Sequence, residues 1–162
     1  METEKQAVIE LLNHLKITYE FVLHQAVFTI DEMEKLNLPK AEVVAKNLFL
    51  RDDKKQNYYL VSAHEGKRVD LKALREKIAS RPLSFASEED LNTILGLQKG
   101  AVTPFGILND QERRVKVLID AVFSDGLIGV HPNVNTATVW LKTTDLIKII
   151  RQHGNPVELV EL

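Results

Sequence analysis

The sequence has no cysteine, which excludes disulfides, thiolate nucleophiles and cysteine-ligated zinc. No apolar run approaches the roughly 18–20 residues that a membrane-spanning helix needs. The first six residues are mostly charged or polar and lack the apolar core of a signal peptide. The 21 Lys and Arg against 23 Asp and Glu give a net charge of −2, so the basic excess of a DNA-coating protein is missing. These absences predict a cytoplasmic protein that neither enters a membrane nor binds DNA, although contact with a nucleic-acid end stays compatible with the charge.

Metal and cofactor motifs are also missing. No two of the five histidines share the spacing of three to five residues that is typical of a zinc site: His14, His24, His64, His131 and His153. The phosphate-binding loop of nucleotide hydrolases and the dinucleotide-binding fingerprint are absent. We therefore expect no metal and no cofactor.

The length of 162 residues and the hydrophobic content of 44% predict one globular domain over 1–162. Apolar periodicity and capping residues predict helices over 3–15, 29–36, 70–79, 87–95 and 143–152. Strands are predicted over 46–51, 58–63, 113–119, 127–130 and 136–141, with shorter ones at 19–23 and 157–160. Hairpins and helices mix without a regular βαβ alternation, which favours the α+β class.

The most informative stretch is 129–138, which lies between apolar runs. Gly129 and Pro132 frame polar residues that include His131 and Asn133. Such a loop is costly to order unless its polar groups form hydrogen bonds. We interpret it as one wall of a binding site and expect the other wall at 45–51.

Lys46 and Asn47 stand where an apolar turn passes into a strand. Lys46 has two interpretations, which the composition leaves open: a solvated lysine at a strand end, or a cation aimed at a phosphate or carboxylate in a partly desolvated site. Asn47 offers both a donor and an acceptor beside it.

Two other features allow a functional interpretation. The segment 100–106 holds Thr103, Pro104, Phe105 and Gly106, and it predicts either a rigid turn or a pocket edge where backbone approaches a ligand. Ser62 and His64 share one face of a strand, which keeps a Ser–His hydrolase as an alternative.

Three motifs together resemble a known family: Lys-Asn-Leu-Phe-Leu at 46–50, Gly-Ala-Val-Thr-Pro-Phe-Gly at 100–106 and Gly-Val-His-Pro-Asn-Val-Asn-Thr-Ala-Thr at 129–138. In this order they resemble the freestanding prolyl-tRNA editing proteins, which are related to YbaK and to the editing domain inserted in bacterial prolyl-tRNA synthetases. The resemblance covers essentially the whole chain and looks closest to the trans-acting alanyl-tRNA(Pro) deacylases. It implies a single mixed α/β domain with a largely antiparallel central sheet flanked by helices.

The resemblance also implies an activity: hydrolysis of the ester between a wrong amino acid and the terminal adenosine of tRNA, without a cofactor. Lys46 would hold the substrate end and Asn47 would bond nearby. The backbone around Gly129 and Pro132 would hold the aminoacyl group and a water, with His131 lining the pocket. We expect further substrate contacts from Thr103, Pro104, Phe105, Gly106 and Asn133.

The resemblance implies alanine as the substrate residue, which makes physical sense because a synthetase pocket for proline cannot strongly exclude a smaller side chain. The partner would be the aminoacylated 3′ end of tRNA(Pro), with prolyl-tRNA synthetase as a further candidate. Two alternatives stay open. One is a deacylase of cysteinyl-tRNA(Pro) or of another small-residue mischarge, and the other is a non-catalytic module that binds tRNA or the synthetase.

Overall fold

The computed structural model of the protein describes residues 2–162. Its α-helices are α1 (Glu2–His14), α2 (Ile30–Lys35), α3 (Leu71–Ile78), α4 (Glu88–Leu95) and α5 (Thr143–His153). Its strands are β1 (Tyr19–Leu23), β2 (Ala45–Asp52), β3 (Tyr58–His64), β4 (Leu83–Phe85), β5 (Val115–Asp120), β6 (Leu127–Val130), β7 (Ala137–Lys142) and β8 (Val157–Val160). Three 3₁₀ turns cover Ala41–Val43, Pro104–Asn109 and Ala121–Phe123.

The strands form two sheets. One has the order β1-β7-β6 and is antiparallel throughout. The other has the order β4-β2-β3-β5-β8, antiparallel at β4–β2 and β2–β3 and parallel at β3–β5 and β5–β8. The predicted mixed α/β domain with largely antiparallel pairing is confirmed, but the strands divide between two sheets where the family resemblance implied one central sheet.

The two sheets meet around a shared core and at one backbone bridge. Fully buried side chains from both sheets and from α5 pack in the same cluster, among them Leu60, Val117, Val139 and Ile150. A parallel bridge joins Val44, just before β2, to Gly129 in β6. This bridge brings the two stretches that the sequence singled out next to each other.

Local signals explain most of the predicted elements. The Asp70 side chain accepts hydrogen bonds at the start of α3, and the Ser87 hydroxyl accepts one from the Asp90 N–H at the start of α4. Gly96 ends α4 in the left-handed conformation. Within the described part of the chain, no helix is long and apolar enough to cross a membrane.

Candidate active site

A cavity of about 250 Å³ lies between the first half of β2 and the loop that follows β6. The N-terminal end of α2 and the segment before it form another side. The lining residues are mostly apolar: Val27, Phe28, Thr29, Met33, Ala45, Lys46, Asn47, Leu48, Gly100, Val102 and His131. Among the residues lining it that the structure describes, Lys46 is the one with a permanent charge. The cavity is therefore a small, mostly apolar space with one cation and three polar side chains, those of Thr29, Asn47 and His131.

The edge of β2 is open where it borders the cavity. β4 pairs with β2 only from Leu50 to Asp52, so within residues 2–162 no strand pairs on that side with the half of β2 that contains Asn47. The Phe49 carbonyl accepts a hydrogen bond from the Ala86 N–H at 2.9 Å and so faces the β4 side. Backbone groups alternate along a strand, so the N–H and C=O of Asn47 face the same edge. A ligand in the cavity can therefore meet a backbone donor as well as side chains.

The side chain of Asn47 has a defined orientation. The Ser62 hydroxyl, which is fully buried, donates to Oδ1 of Asn47 across the β2–β3 ladder at 2.5 Å. With its oxygen occupied, Asn47 has its Nδ2 amide hydrogens left to donate to a ligand. Ser62 is thus a supporting residue that the sequence showed only as part of a different hypothesis.

The structure does not support the alternative of a Ser–His hydrolase. The hydroxyl of Ser62 is engaged by Asn47, and Nδ1 of His64 accepts a hydrogen bond from the Gly66 N–H at 3.0 Å. No hydrogen bond joins Ser62 to His64 among the described residues, and neither lines the cavity. A nucleophilic serine needs its base within hydrogen-bond reach, so this pair lacks the arrangement for catalysis.

Lys46 crosses toward the loop that follows β3. Its Nζ donates to the backbone carbonyl of Lys67, and Lys46 is one of the residues that line the cavity. Lys67 itself pairs with the buried carboxylate of Asp120 at 2.8 Å. The ammonium group of Lys46 therefore has no carboxylate partner among the described ion pairs, and its charge stays available to a substrate anion or carbonyl.

His131 enters the cavity as a neutral imidazole. Its Nδ1 lies 2.9 Å from the carbonyl of Ala137. A carbonyl only accepts, so Nδ1 carries the proton and Nε2 keeps its lone pair. Burial lowers the pKa of His131 below its ordinary range, the hydrogen bond to Ala137 opposes this, and nearby His24 lowers it further. The site thus offers a hydrogen-bond acceptor at neutral pH, a feature that spacing alone could not reveal.

His24 supports this part of the site from the end of β1. Its ring centroid lies 6.0 Å from that of His131. Its Nδ1 donates to the Gln25 carbonyl, and its Nε2 lies 2.8 Å from the hydroxyl of Thr138. Both ring nitrogens of His24 are thus engaged within the protein.

Gly129 and Pro132 lie behind the cavity and are buried. A Cβ on Gly129 would lie 2.7 Å from Nε1 of Trp140 and 3.0 Å from Cγ2 of Val44. The glycine is therefore required by the close packing of the indole and of the bridge to β2. This packing explains why position 129 is a glycine without any contact to a ligand. The interpretation from the sequence was instead that the backbone at Gly129 approaches the substrate closely.

The expected contacts from 103–106 also lie behind the cavity. Thr103, Pro104, Phe105 and Gly106 are buried, and none of them lines it. Thr103 caps the 3₁₀ turn Pro104–Asn109, which agrees with the rigid-turn interpretation of this segment, and its hydroxyl donates to the His131 carbonyl at 2.5 Å. These residues hold the His131 loop in place. Gly100 and Val102 are the members of the segment that reach the cavity.

The remaining predicted residue, Asn133, borders a neighbouring cavity. Four lining residues were not predicted: Val27, Phe28 and Thr29 in the segment before α2, and Met33 within it. The sequence shows an apolar pair directly before a capping threonine at this point. That pattern is typical of any helix start and does not by itself indicate a binding site. Of the predicted site residues, the structure brings Lys46, Asn47 and His131 together in one space.

Comparisons with known proteins show the family to which the chain is related. The model of the aminoacyl-tRNA editing domain family matches residues 24–149. The prolyl-tRNA editing protein ProX of Acetoanaerobium sticklandii is 48% identical over 159 residues, which cover 98% of this chain and 97% of that protein. A Mus musculus protein named prolyl-tRNA synthetase associated domain-containing protein 1 is 33% identical, covering 89% of this chain and 88% of its own.

A solved structure described as a candidate trans-editing enzyme for prolyl tRNA synthetase has the same fold. It superposes with a TM-score of 0.72, at 18% identity, over 99% of this chain and 96% of that one. At 18% identity this similarity shows only that the two proteins share a fold. The assignment to a family rests on the sequence matches.

Proposed function

This chain belongs to the aminoacyl-tRNA editing domain family, and we propose that it hydrolyses the ester of mischarged tRNA(Pro), with alanyl-tRNA(Pro) as its main substrate. Editing of an aminoacyl-tRNA is ester hydrolysis, so the chain is a hydrolase. The similarity to ProX over nearly all of both chains supports tRNA(Pro) as the carrier. The observation that carries the proposal is the meeting of Lys46, Asn47 and His131 around one small apolar cavity.

The donors in this cavity suit an ester carbonyl. We assign oxyanion stabilisation to Nδ2 of Asn47 and to the backbone N–H of the same residue, which faces the open edge of β2. Preorganised donors of this kind contribute about 2.7–4 kcal/mol each to a transition state. Lys46 would leave the Lys67 carbonyl to hold a phosphate or the carbonyl of the substrate.

The nucleophile in this proposal is water. Nε2 of His131 accepts its proton as the water oxygen attacks the carbonyl carbon, and the carbon–oxygen bond to the ribose then breaks. The proton passes to the ribose oxygen, and the products are free alanine and tRNA with an intact 3′ end. An aminoacyl ester is already reactive, so positioning and charge stabilisation suffice without a covalent intermediate.

The cavity walls explain the preference for a small residue. Val27, Met33, Leu48 and Val102 enclose it with apolar side chains. A binding pocket gains only about 1–3 kcal/mol per methylene, which is why a proline site accepts alanine in the first place. The proposal requires that the part of this cavity that takes the amino-acid side chain excludes the proline ring by sterics, which discriminate more strongly than lost contacts.

The test is a single-turnover deacylation panel with alanyl-, cysteinyl- and prolyl-tRNA(Pro). We expect rapid release of alanine, slower release of cysteine and no release of proline above the uncatalysed rate. Faster release of cysteine would assign the chain to the alternative substrate. Tight tRNA binding without any deacylation would assign it to the non-catalytic class. Repeating the panel with prolyl-tRNA synthetase present tests whether that enzyme is a second partner.

A further inference from the structure

A second cavity of about 230 Å³ adjoins the first. Among the described residues Phe28 alone lines both, so it is the partition between them. The polar or charged residues of the second cavity are Glu4, Gln98, Lys99, Asn133, Asn135 and Thr136. The mechanism proposed above uses none of them.

Phe28 is held in place although its side chain is 62% exposed. The neighbouring Val27 is buried, its N–H donates to the Asn135 carbonyl at 3.2 Å, and its carbonyl accepts from Nδ2 of Asn135 at 2.9 Å. Thr29, on the other side, caps α2. Most of the Phe28 ring therefore lies at the surface between the two cavities, where a planar ligand can stack on it.

Gly100 makes room for this ring. A Cβ at Gly100 would lie 2.7 Å from Cδ1 of Phe28, and its φ of +89° is disfavoured for other residues. The ring therefore rests on glycine backbone on one side. The exposed remainder is open to stacking by a nucleobase, an interaction that is common in the recognition of single-stranded RNA ends.

Asn133 adds a hydrogen-bond acceptor with a fixed orientation to the second cavity. Its Nδ2 donates to the Phe105 carbonyl at 3.4 Å, which sets the amide orientation because the reversed amide would place two acceptors together. Its Oδ1 is buried and has no hydrogen-bond partner among the described residues. A buried acceptor without a partner costs free energy, so a ligand that brings an N–H group satisfies it.

We propose that the second cavity binds the terminal adenine of the tRNA, stacked on Phe28, with its exocyclic amino group donating to Oδ1 of Asn133. This inference rests on the proposed function. Base and aminoacyl group hang from the same ribose, so a ligand with its acyl group in the first cavity carries its base past Phe28. Two adjoining cavities with a shared aromatic wall match that connectivity.

The first experiment replaces Phe28 by leucine and measures steady-state deacylation of alanyl-tRNA(Pro). Stacking on Phe28 stabilises the bound substrate and the transition state equally. Its loss should therefore raise KM about tenfold and leave kcat unchanged. Phe28→Tyr should restore the wild-type KM. Phe85→Leu is the matched control, because Phe85 is 60% exposed on β4, outside both cavities. An unchanged KM in Phe28→Leu overturns the proposal.

The second experiment compares two stable analogues, 3′-alanylamino-3′-deoxyadenosine and the corresponding inosine compound, by calorimetric titration. Inosine presents a carbonyl where adenosine has the amino group, so wild type should bind the adenosine analogue about tenfold more tightly. Asn133→Gly should remove this preference, because the substitution removes the accepting Oδ1. Glycine is the chosen replacement because it adopts the φ of +61° at this position without strain. Equal binding of both analogues by wild type, or a preference retained in Asn133→Gly, contradicts the assignment.

The deacylase activity and the adenine site can be refuted separately. If wild type releases no alanine from alanyl-tRNA(Pro), the proposed function is wrong. If wild type deacylates the tRNA but neither Phe28→Leu nor the inosine substitution changes binding, the activity stands and the adenine site alone is refuted.

Discussion

The substitution Gly129→Ala separates a packing role of this glycine from a role in holding substrate. The new methyl group would lie 2.7 Å from Nε1 and 3.0 Å from Cδ1 of Trp140, and 3.0 Å from Cγ2 of Val44. Trp140 is 1% exposed and its Nε1 donates to the Lys40 carbonyl at 3.2 Å. The indole cannot move aside without breaking this bond and repacking the core.

The expected cost follows from these contacts. Overpacking a closed core costs about 1–3 kcal/mol, and the loss of one hydrogen bond adds about 1 kcal/mol. We therefore expect the free energy of unfolding to fall by about 2–4 kcal/mol. For a chain of this size each kcal/mol lowers the melting temperature by about 2–4 °C, so the midpoint should fall by roughly 4–16 °C.

The assay is thermal and urea unfolding followed by circular dichroism, with Gly126→Ala as the control. A Cβ at Gly126 meets nothing within 4 Å, so this variant should match or slightly exceed wild-type stability. If Gly129→Ala keeps the wild-type melting temperature but loses deacylation, the packing argument is wrong and the glycine serves the bound aminoacyl group directly.

Two further predictions concern the supports of the cavity. Ser62→Ala frees the amide of Asn47 to rotate, so kcat should fall about tenfold. The same change in an Asn47→Ala background should cause no further loss of kcat. Additive losses in this double-mutant cycle would refute the coupling between Ser62 and Asn47. Because burial lowers the pKa of His131, the unfolded chain takes up a proton that the folded chain does not, and stability should fall as pH drops below about 6.5. His131→Gln should remove this part of the pH dependence of urea unfolding between pH 5 and 8, whereas an unchanged slope would contradict the neutral, buried imidazole.

Much of the fold could be predicted from the sequence because its local signals agree with one another. The capping side chains of Asp70 and Ser87 mark α3 and α4, and apolar alternation marks β2 and β3. β4 was missed because three residues give too little periodicity. The division into two sheets was also missed, since strand pairing depends on contacts between distant parts of the chain that a local pattern does not encode.

The candidate site was predicted in part, for similar reasons. Lys46, Asn47 and His131 stand out as polar residues in apolar surroundings, and they do line one cavity. Thr103 and Gly106 stand out equally, yet they are buried supports, because glycine and threonine serve close packing and helix capping as readily as binding. Phe28 was missed because an exposed aromatic ring has no sequence signature that separates it from a core residue.

The central claim is that the cavity bounded by Lys46, Asn47 and His131 is where the ester of alanyl-tRNA(Pro) is hydrolysed. The most direct test is the single-turnover rate of alanine release by wild type, by Lys46→Met and by Lys72→Met, with folding of each confirmed by circular dichroism. Lys72 is exposed on α3 and lines neither cavity, which makes it the matched control. We predict a loss of about 100-fold or more in Lys46→Met, the scale for removing one donor that holds the reacting group, and none in Lys72→Met. A folded Lys46→Met variant that releases alanine at the wild-type rate would contradict the account.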